Sequence, residues 1–208
     1  MKRLLTLGIL TLLLTQCAVR YKPIEPEKVE YDQFFENEAV KLSYRYNALY
    51  YRGNYKLARL EKRSGLKIIA AAITNKSTRT LNIDRDLDIF TDEEDPYYID
   101  GVTAAKRMSQ HPRAYLFYSL LIYAKFDCEF HGLNCAPRYI IPAGVPIAIY
   151  NLYRAKNANK HMSAEFEKYS VYTRDIEPGQ TIYAILALEF EGKEMLPLQI
   201  EVRENSKM

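Results

Sequence analysis

The chain has 208 residues, of which 29 are basic and 26 acidic, so its net charge is only +3. This balance excludes the strongly basic surface on which nucleic-acid-binding domains depend, and no nucleic-acid partner is predicted. The length suffices for one domain with a sizeable hydrophobic core. The chain has 18 tyrosines and no tryptophan, and tyrosine suits partly solvent-exposed sites because its ring is apolar and its hydroxyl group is polar.

Residues 1–16 are predicted to be a lipoprotein signal peptide. Two basic residues precede an apolar run from Leu4 to Leu14, which is shorter than the ~20 residues that span a bilayer. Cys17 ends this run and is the candidate lipidation site, although Gln16 departs from the small residue that this class places before its cysteine. We therefore expect a protein of the bacterial cell envelope that is anchored to a membrane through lipid on Cys17.

Residues 17–38 are predicted to be the lipidated N-terminus followed by a flexible tether. This segment is rich in charge, contains Pro23 and Pro26, and has no sustained hydrophobic periodicity. Residues 39–208 are predicted to form a single domain.

Three apolar runs open this domain and are predicted to be strands. From Val40 to Tyr46 apolar and polar residues alternate, which is typical of a strand with one buried face. A second run covers residues 55–60. Residues 66–74 are almost wholly apolar and are predicted to be a central strand.

Alternation continues from Leu81 to Ile89 and predicts a strand whose solvent face carries Asp84, Asp86 and Asp88. Their spacing lacks the glycine and the final glutamate of a helix–loop–helix calcium site, so a loosely bound cation is the remaining alternative. At the other end of the domain, residues 181–190 and 196–202 are predicted to be two strands joined as a hairpin.

Between these β regions, residues 101–170 are predicted to be a helical insertion. Within it, an apolar stripe with helical spacing is predicted to pack on the β core; it consists of Ala155, Ala158, Met162, Phe166 and Tyr169. The apolar segments 114–126 and 139–153 leave two possibilities open, which are burial against the sheet and contact with the bilayer beside the lipid anchor.

Three segments of the chain, Ile73–Phe90, Ile141–Met162 and Ile176–Val202, resemble small bacterial envelope lipoproteins of unknown function that have an immunoglobulin-like domain. The resemblance, with the order of the elements, implies a mainly β fold with a helical insert, namely an immunoglobulin-like antiparallel β-sandwich. Since that family has no assigned activity, the resemblance implies a fold and a compartment only.

The remaining cysteines, Cys128 and Cys135, are predicted to form a disulfide, because they are an even pair in an exported protein. Together with His131 they also form the pattern C-x2-H-x3-C, which offers three ligands where a structural zinc site needs four. Metal binding by Cys128, His131 and Cys135 is therefore the weaker alternative, and no cofactor is predicted.

The sequence contains no catalytic motif, and no enzyme is predicted. We expect a non-catalytic binding or assembly module with an envelope protein as partner. Two alternatives stay open: an enzyme or metal-dependent hydrolase, with a dispersed site that gathers carboxylates around His111, His131 or His161, and a lipid-interacting element.

Overall fold

The computed structural model describes residues 17–91, 96–120, 123–128, 135–142, 144–171, 174–189 and 195–203. The side chains of residues 121–139 and of Ile141 are outside this description. The chain forms two compact units. The first unit comprises Met1–Arg20 and Gln110–Ala158, and the second comprises Tyr21–Ser109 and Asn159–Met208.

The strands are short except for two in the middle of the main sheet. In chain order they are β1 (Gln33–Glu36), β2 (Val40–Arg45), β3 (Leu66–Asn75), β4 (Leu81–Asn82), β5 (Leu87–Phe90), β6 (Tyr97–Ile99), β7 (Tyr123–Cys128), β8 (Cys135–Ile141), β9 (Asp175–Ile176), β10 (Thr181–Glu189) and β11 (Gln199–Val202).

The α-helices range from single turns to one long helix. They are α1 (Ala48–Tyr51), α2 (Tyr55–Arg63), α3 (Ile83–Asp86), α4 (Gly101–Arg107) and α5 (Gly144–Lys168), and two 3-10 segments cover Pro26–Lys28 and Pro112–Leu120.

The second unit is built on a five-stranded antiparallel sheet in the order β1-β2-β3-β10-β6. Its centre is the pairing of β3 with β10, which runs without a break from Leu66 opposite Glu189 to Thr74 opposite Thr181. Beside it are two small antiparallel sheets, which pair β11 with β5 and β4 with β9.

Both faces of the central strands are buried. One face contributes Ile69 and Ile73 of β3 and Leu186 of β10 to a core that also contains Ile89 of β5 and Ile200 of β11. The opposite face is also buried, and α2 and α4 contact β3 and β10. The fold is therefore a mixture of helices and antiparallel sheets. Burial on both faces explains why the sequence of β3 is continuously apolar.

The strands predicted at 40–46, 66–74 and 181–190 are confirmed as β2, β3 and β10 within one or two residues at each end. The strand predicted at residues 55–60 is wrong, because this run lies in α2. Leu57 and Glu61, four residues apart, are both buried on one side of that helix. Periodicity alone does not distinguish a short helix from a short strand.

The continuous strand predicted from Leu81 to Ile89 is also wrong, since the single turn α3 separates β4 from β5. The Asn82 side chain caps this turn by accepting a hydrogen bond from Arg85 N at 3.2 Å. The helical turn interrupts the two-residue alternation of buried and exposed side chains, so Asp86 is only 1% exposed. Its carboxylate accepts hydrogen bonds from Asn82 N at 2.8 Å and from Arg85 Nε at 3.0 Å. Asp86 therefore does not share a solvent face with Asp84 and Asp88.

The predicted C-terminal hairpin is wrong in its pairing, although both strands exist. β10 pairs with β3 along one edge and, through Ala187–Glu189, with β6 on the other, so β6 occupies the end of β10 at which a hairpin with β11 would begin. β11 instead pairs with β5, with Ile200 opposite Ile89. Consecutive strands thus belong to different sheets.

The start of the predicted tether is packed in the second unit. Ile24 is fully buried, and Tyr21 and Val29 are nearly so. The Glu165 carboxylate on α5 accepts hydrogen bonds from Ile24 N at 3.0 Å, from Glu25 N at 2.8 Å and from the Tyr21 hydroxyl. Because both oxygens of one carboxylate hold this backbone, residues 21–25 are fixed on the helix and do not form a flexible tether.

The first unit falls inside the predicted insertion at 101–170, apart from its N-terminal residues. It contains the 3-10 segment Pro112–Leu120, an antiparallel hairpin of β7 and β8, and the first part of α5. A small apolar cluster joins the 3-10 segment, the first part of α5 and the N-terminal residues of the unit; it contains Ala18, Tyr115, Tyr118, Ala148 and Ala155.

The apolar stripe predicted on α5 is buried throughout, from Ala155 to Tyr169. In the second unit, α4 approaches α5 so closely that a Cβ on Gly101 would lie 2.6 Å from the Phe166 carbonyl oxygen. Only glycine fits at this crossing. The Phe166 ring is fully buried on the same turn of α5.

We expect Phe166→Ala to lower the free energy of unfolding by about 3 to 5 kcal/mol, because it removes a fully buried ring. Phe34→Ala is the control, since Phe34 is 76% exposed on β1, and its effect is expected to stay within about 0.5 kcal/mol. Urea unfolding measures both variants. Equal effects would contradict the burial of Phe166.

Glu61 is a buried carboxyl group on α2 and is 4% exposed. Its Oε1 accepts a hydrogen bond from Ile68 N at 2.7 Å. Burial raises the pKa of Glu61 from 4.5 to about 7, although the Ile68 N–H group opposes the rise. The folded protein therefore holds a proton here that the unfolded chain releases at lower pH.

The free energy of unfolding should consequently fall by about 3 kcal/mol as the pH rises from 4.5 through about 7. Glu61→Gln imitates the protonated carboxyl group and should remove most of this fall. Glu167→Gln, which makes the same charge change on an exposed residue, should leave it in place. Urea unfolding across this pH range tests the prediction, and an unchanged slope in Glu61→Gln would refute it.

Candidate functional site

The backbone that follows Cys17 is held firmly in the first unit. Ala18 N donates a hydrogen bond to Asn151 Oδ1 at 2.7 Å, and this contact is buried. Val19 and the Gln110 side chain exchange two hydrogen bonds, from Val19 N to Oε1 at 3.0 Å and from Nε2 to Val19 O at 2.9 Å. The chain is therefore fixed within one residue of the predicted lipidation site.

Cys17 itself is half-buried beside two stacked tyrosines of the 3-10 segment. Burial, together with the neighbouring Cys17, raises the pKa of the Tyr115 and Tyr118 hydroxyl groups. The two rings are 6.2 Å apart, and the Tyr115 hydroxyl donates to Gln110 Oε1 at 3.3 Å. The next residue, Ala18, packs in one apolar cluster with both of these tyrosines.

The same 3-10 segment exposes large apolar side chains. Tyr115 and Tyr118 are buried, whereas Leu116, Phe117 and Leu120 are 50%, 75% and 73% exposed. Three exposed apolar side chains in five residues are unusual on a surface that faces water.

The beginning of α5 has the same character. Its inner side is formed by Ala148, Asn151 and Ala155, which are all buried. Its outer side carries exposed apolar residues, namely Val145, Ile147, Ile149, Tyr150 and Tyr153. From Lys156 onward the exposed positions of the helix are mainly polar. A helix that is apolar on all sides is normally buried in protein or in lipid.

We refer to these exposed residues together as the apolar surface of the first unit. It consists of Leu116, Phe117, Leu120, Val145, Ile147, Ile149, Tyr150 and Tyr153.

Charge is divided unequally between the units. From Cys17 onward the first unit has six basic and two acidic residues, a net charge of +4. The second unit has 21 basic and 24 acidic residues, a net charge of −3. The positive charge of residues 17–208 is therefore concentrated in the unit that carries the apolar surface.

The other predicted site residues do not form a site in the described part of the chain. His111 and His161 are both exposed. Cys128 is opposite Cys135 in the register of β7 and β8, but their side chains and all of His131 lie outside the described residues. The disulfide and the zinc alternative both stay predictions. Among the described side chains, no three metal-binding residues come together.

A cleft of about 460 Å³ lies in the second unit beside Glu165. Its polar groups already bind one another. Both oxygens of Glu165 accept hydrogen bonds from the chain at residues 21–25, and the Tyr169 hydroxyl donates to Glu27 Oε1 at 2.6 Å and accepts from Lys168 Nζ at 2.7 Å. These bonds hold the N-terminal segment in place, and they give the cleft a structural role.

The sequence analysis identified Cys17 but missed Asn151 and Gln110, which hold the backbone beside it. A signal for Asn151 does exist in the sequence. Asn151 lies four residues before Ala155, so it extends the predicted buried stripe of α5, and a buried amide needs a hydrogen-bond partner. Gln110 has no comparable signal.

Within the described ranges, no helix is both long and apolar enough to cross a bilayer. Comparison with known protein families, curated proteins and solved structures finds no match to this chain.

Proposed function

We propose that the protein is a bacterial envelope lipoprotein whose first unit lies on the membrane that holds the lipid of Cys17. The observation that carries this proposal is the packing of Ala18, the residue after Cys17, against the 3-10 segment and α5, the two elements that carry the apolar surface of the first unit. The hydrogen bond from Ala18 N to Asn151 fixes the backbone next to the lipidation site. Acyl chains on Cys17 therefore enter the bilayer close to Leu116 and Phe117.

A membrane suits this surface better than water does. Each apolar side chain that leaves water gains free energy in proportion to its area. Exposed tyrosines such as Tyr150 and Tyr153 fit the boundary between acyl chains and headgroups, because the ring is apolar and the hydroxyl group is polar.

In this proposal the second unit is the non-catalytic binding or assembly module. Its solvent side carries exposed aromatic residues, including Tyr50 and Tyr55, whose rings meet edge to face at 5.0 Å. Arg45 lies over the ring of the exposed Tyr51 at 4.0 Å. Tyrosine and arginine are enriched where proteins bind other proteins, which favours an envelope protein as the partner.

We further infer that the second unit is an immunoglobulin-like sandwich. Two features support this inference. The main sheet shares one core with the β5–β11 pair, and the chain passes from β10 in one sheet to β11 in the other.

The absence of tryptophan from the chain allows one residue to report on the membrane contact. In the full chain reconstituted into vesicles with acyl-brominated phosphatidylcholine, we expect Phe117→Trp fluorescence to be strongly quenched, because residue 117 inserts among the acyl chains.

The matched control is Tyr55→Trp, an exposed aromatic position of the second unit. We expect its fluorescence to be little quenched in the same vesicles. An unquenched Phe117→Trp would show that the apolar surface does not lie on the membrane, and equal quenching of both tryptophans would show that the membrane contact is not specific to the first unit.

Lipidation at Cys17 has a separate test. Mass spectrometry of the N-terminal peptide from the membrane fraction should show acyl mass on Cys17 and loss of residues 1–16. Cys17→Ser should carry no acyl group. An unmodified Cys17 on a chain that retains its leader would disprove the anchor.

A further inference from the structure

Arg154 is a basic residue at the edge of the apolar surface of the first unit. It follows Tyr150 by one turn of α5, and its guanidinium carbon lies 5.7 Å from the centre of the Tyr150 ring. Its Nη1 donates a hydrogen bond to the Tyr150 hydroxyl at 3.3 Å. The guanidinium group is thereby held beside a tyrosine that is more than half exposed.

The described residues around Arg154 do not fill its hydrogen-bonding capacity. Its Nε is buried and has no acceptor among the described residues. Residues 17–20, 110–120 and 140–158 contain four basic residues and no aspartate or glutamate. The described side chains of the first unit therefore include no carboxylate that could pair with Arg154.

We propose that Arg154, positioned by Tyr150, binds the phosphate of an anionic phospholipid headgroup. This inference rests on the proposed membrane contact of the first unit. A guanidinium group offers a planar fork of N–H donors that matches phosphate oxygens. A tyrosine next to an apolar surface lies at headgroup depth, and it places the adjacent guanidinium group at the same level.

Charge complementarity selects an anionic membrane as the occupant of this surface. The first unit has a net charge of +4, so a bilayer with negative headgroups attracts it more strongly than a zwitterionic one. Arg154 adds a specific contact to this general attraction. Exposed cations such as Lys156 contribute only to the general attraction.

The test uses the full chain with the Phe117→Trp reporter, reconstituted into acyl-brominated vesicles. One set is phosphatidylcholine alone, and the other is an equal mixture with phosphatidylglycerol. Time-resolved fluorescence separates the quenched, docked population from the unquenched one. We expect a higher docked-to-undocked ratio in the phosphatidylglycerol vesicles.

Arg154→Gln should lower that ratio about tenfold or more in phosphatidylglycerol vesicles, since it removes charge-assisted hydrogen bonds. Lys156→Gln removes the same charge and should lower the ratio by no more than about fivefold, the effect of one diffuse charge. Arg154→Lys, which keeps the charge and the long side chain but loses the fork, should fall between Arg154→Gln and the parent protein.

The outcomes separate this inference from the proposed function. Equal docking in the two kinds of vesicle would overturn the headgroup site and leave the membrane contact standing. Equal losses in Arg154→Gln and Lys156→Gln, or full docking by Arg154→Lys, would show diffuse attraction and overturn the site as well. No quenching in either kind of vesicle would refute the membrane contact itself.

Discussion

The antiparallel pairing of β3 with β10 is the interaction on which the second unit depends. Its nine residue pairs join segments that are more than 100 positions apart in the chain, and both faces of the two strands are apolar. Each face must therefore be buried by other elements of the fold. One face packs in the core that contains the β5–β11 pair, and helices α2 and α4 contact β3 and β10. In the same unit, glycine at position 101 lets the backbone of α4 approach Phe166 of α5 closely.

The sequence predicts β3 and β10 well because a long apolar run is informative without knowledge of its neighbours. Short runs are different. Residues 55–60 suit a strand as well as a helix, and the choice depends on the sheet that the helix covers. The pairing of β11 was not predictable from its own residues, since it depends on β6 occupying the second edge of β10. The alternation at 81–89 predicted a continuous strand, and that prediction is wrong because Asn82 caps a helical turn within this segment.

The residues of the candidate site also differ in how well the sequence alone predicts them. The predicted leader and Cys17 are adjacent in sequence, so the lipidation hypothesis depends on local residues alone. The contacts that fix the chain beside Cys17 join Ala18 to Asn151 and Val19 to Gln110, across 133 and 91 positions. Charge and proline in residues 18–38 are typical of a flexible segment, and composition does not reveal that the Glu165 carboxylate, 140 or more positions away, binds this backbone. Long-range polar contacts of this kind leave little trace in a single sequence.

In the proposed lipoprotein, no flexible segment separates the lipid on Cys17 from the first unit. This changes the role of the lipid anchor. With a flexible tether, the apolar surface of the first unit would be free to face water, at a free-energy cost for every exposed side chain. Because Ala18 is bound to Asn151, the acyl attachment point and the apolar surface form one rigid element of the first unit. In the proposed lipoprotein, the lipid holds Phe117 near the bilayer at a high effective concentration, so that even weak contacts become occupied. Positive charge in the same unit strengthens the contact on an anionic membrane, whereas the second unit, with its excess of acidic residues, gains nothing from that surface. In that proposal, lipid, apolar surface and charge all favour the first unit as the part that contacts the membrane, and the tyrosines of the second unit are the surface proposed for an envelope partner.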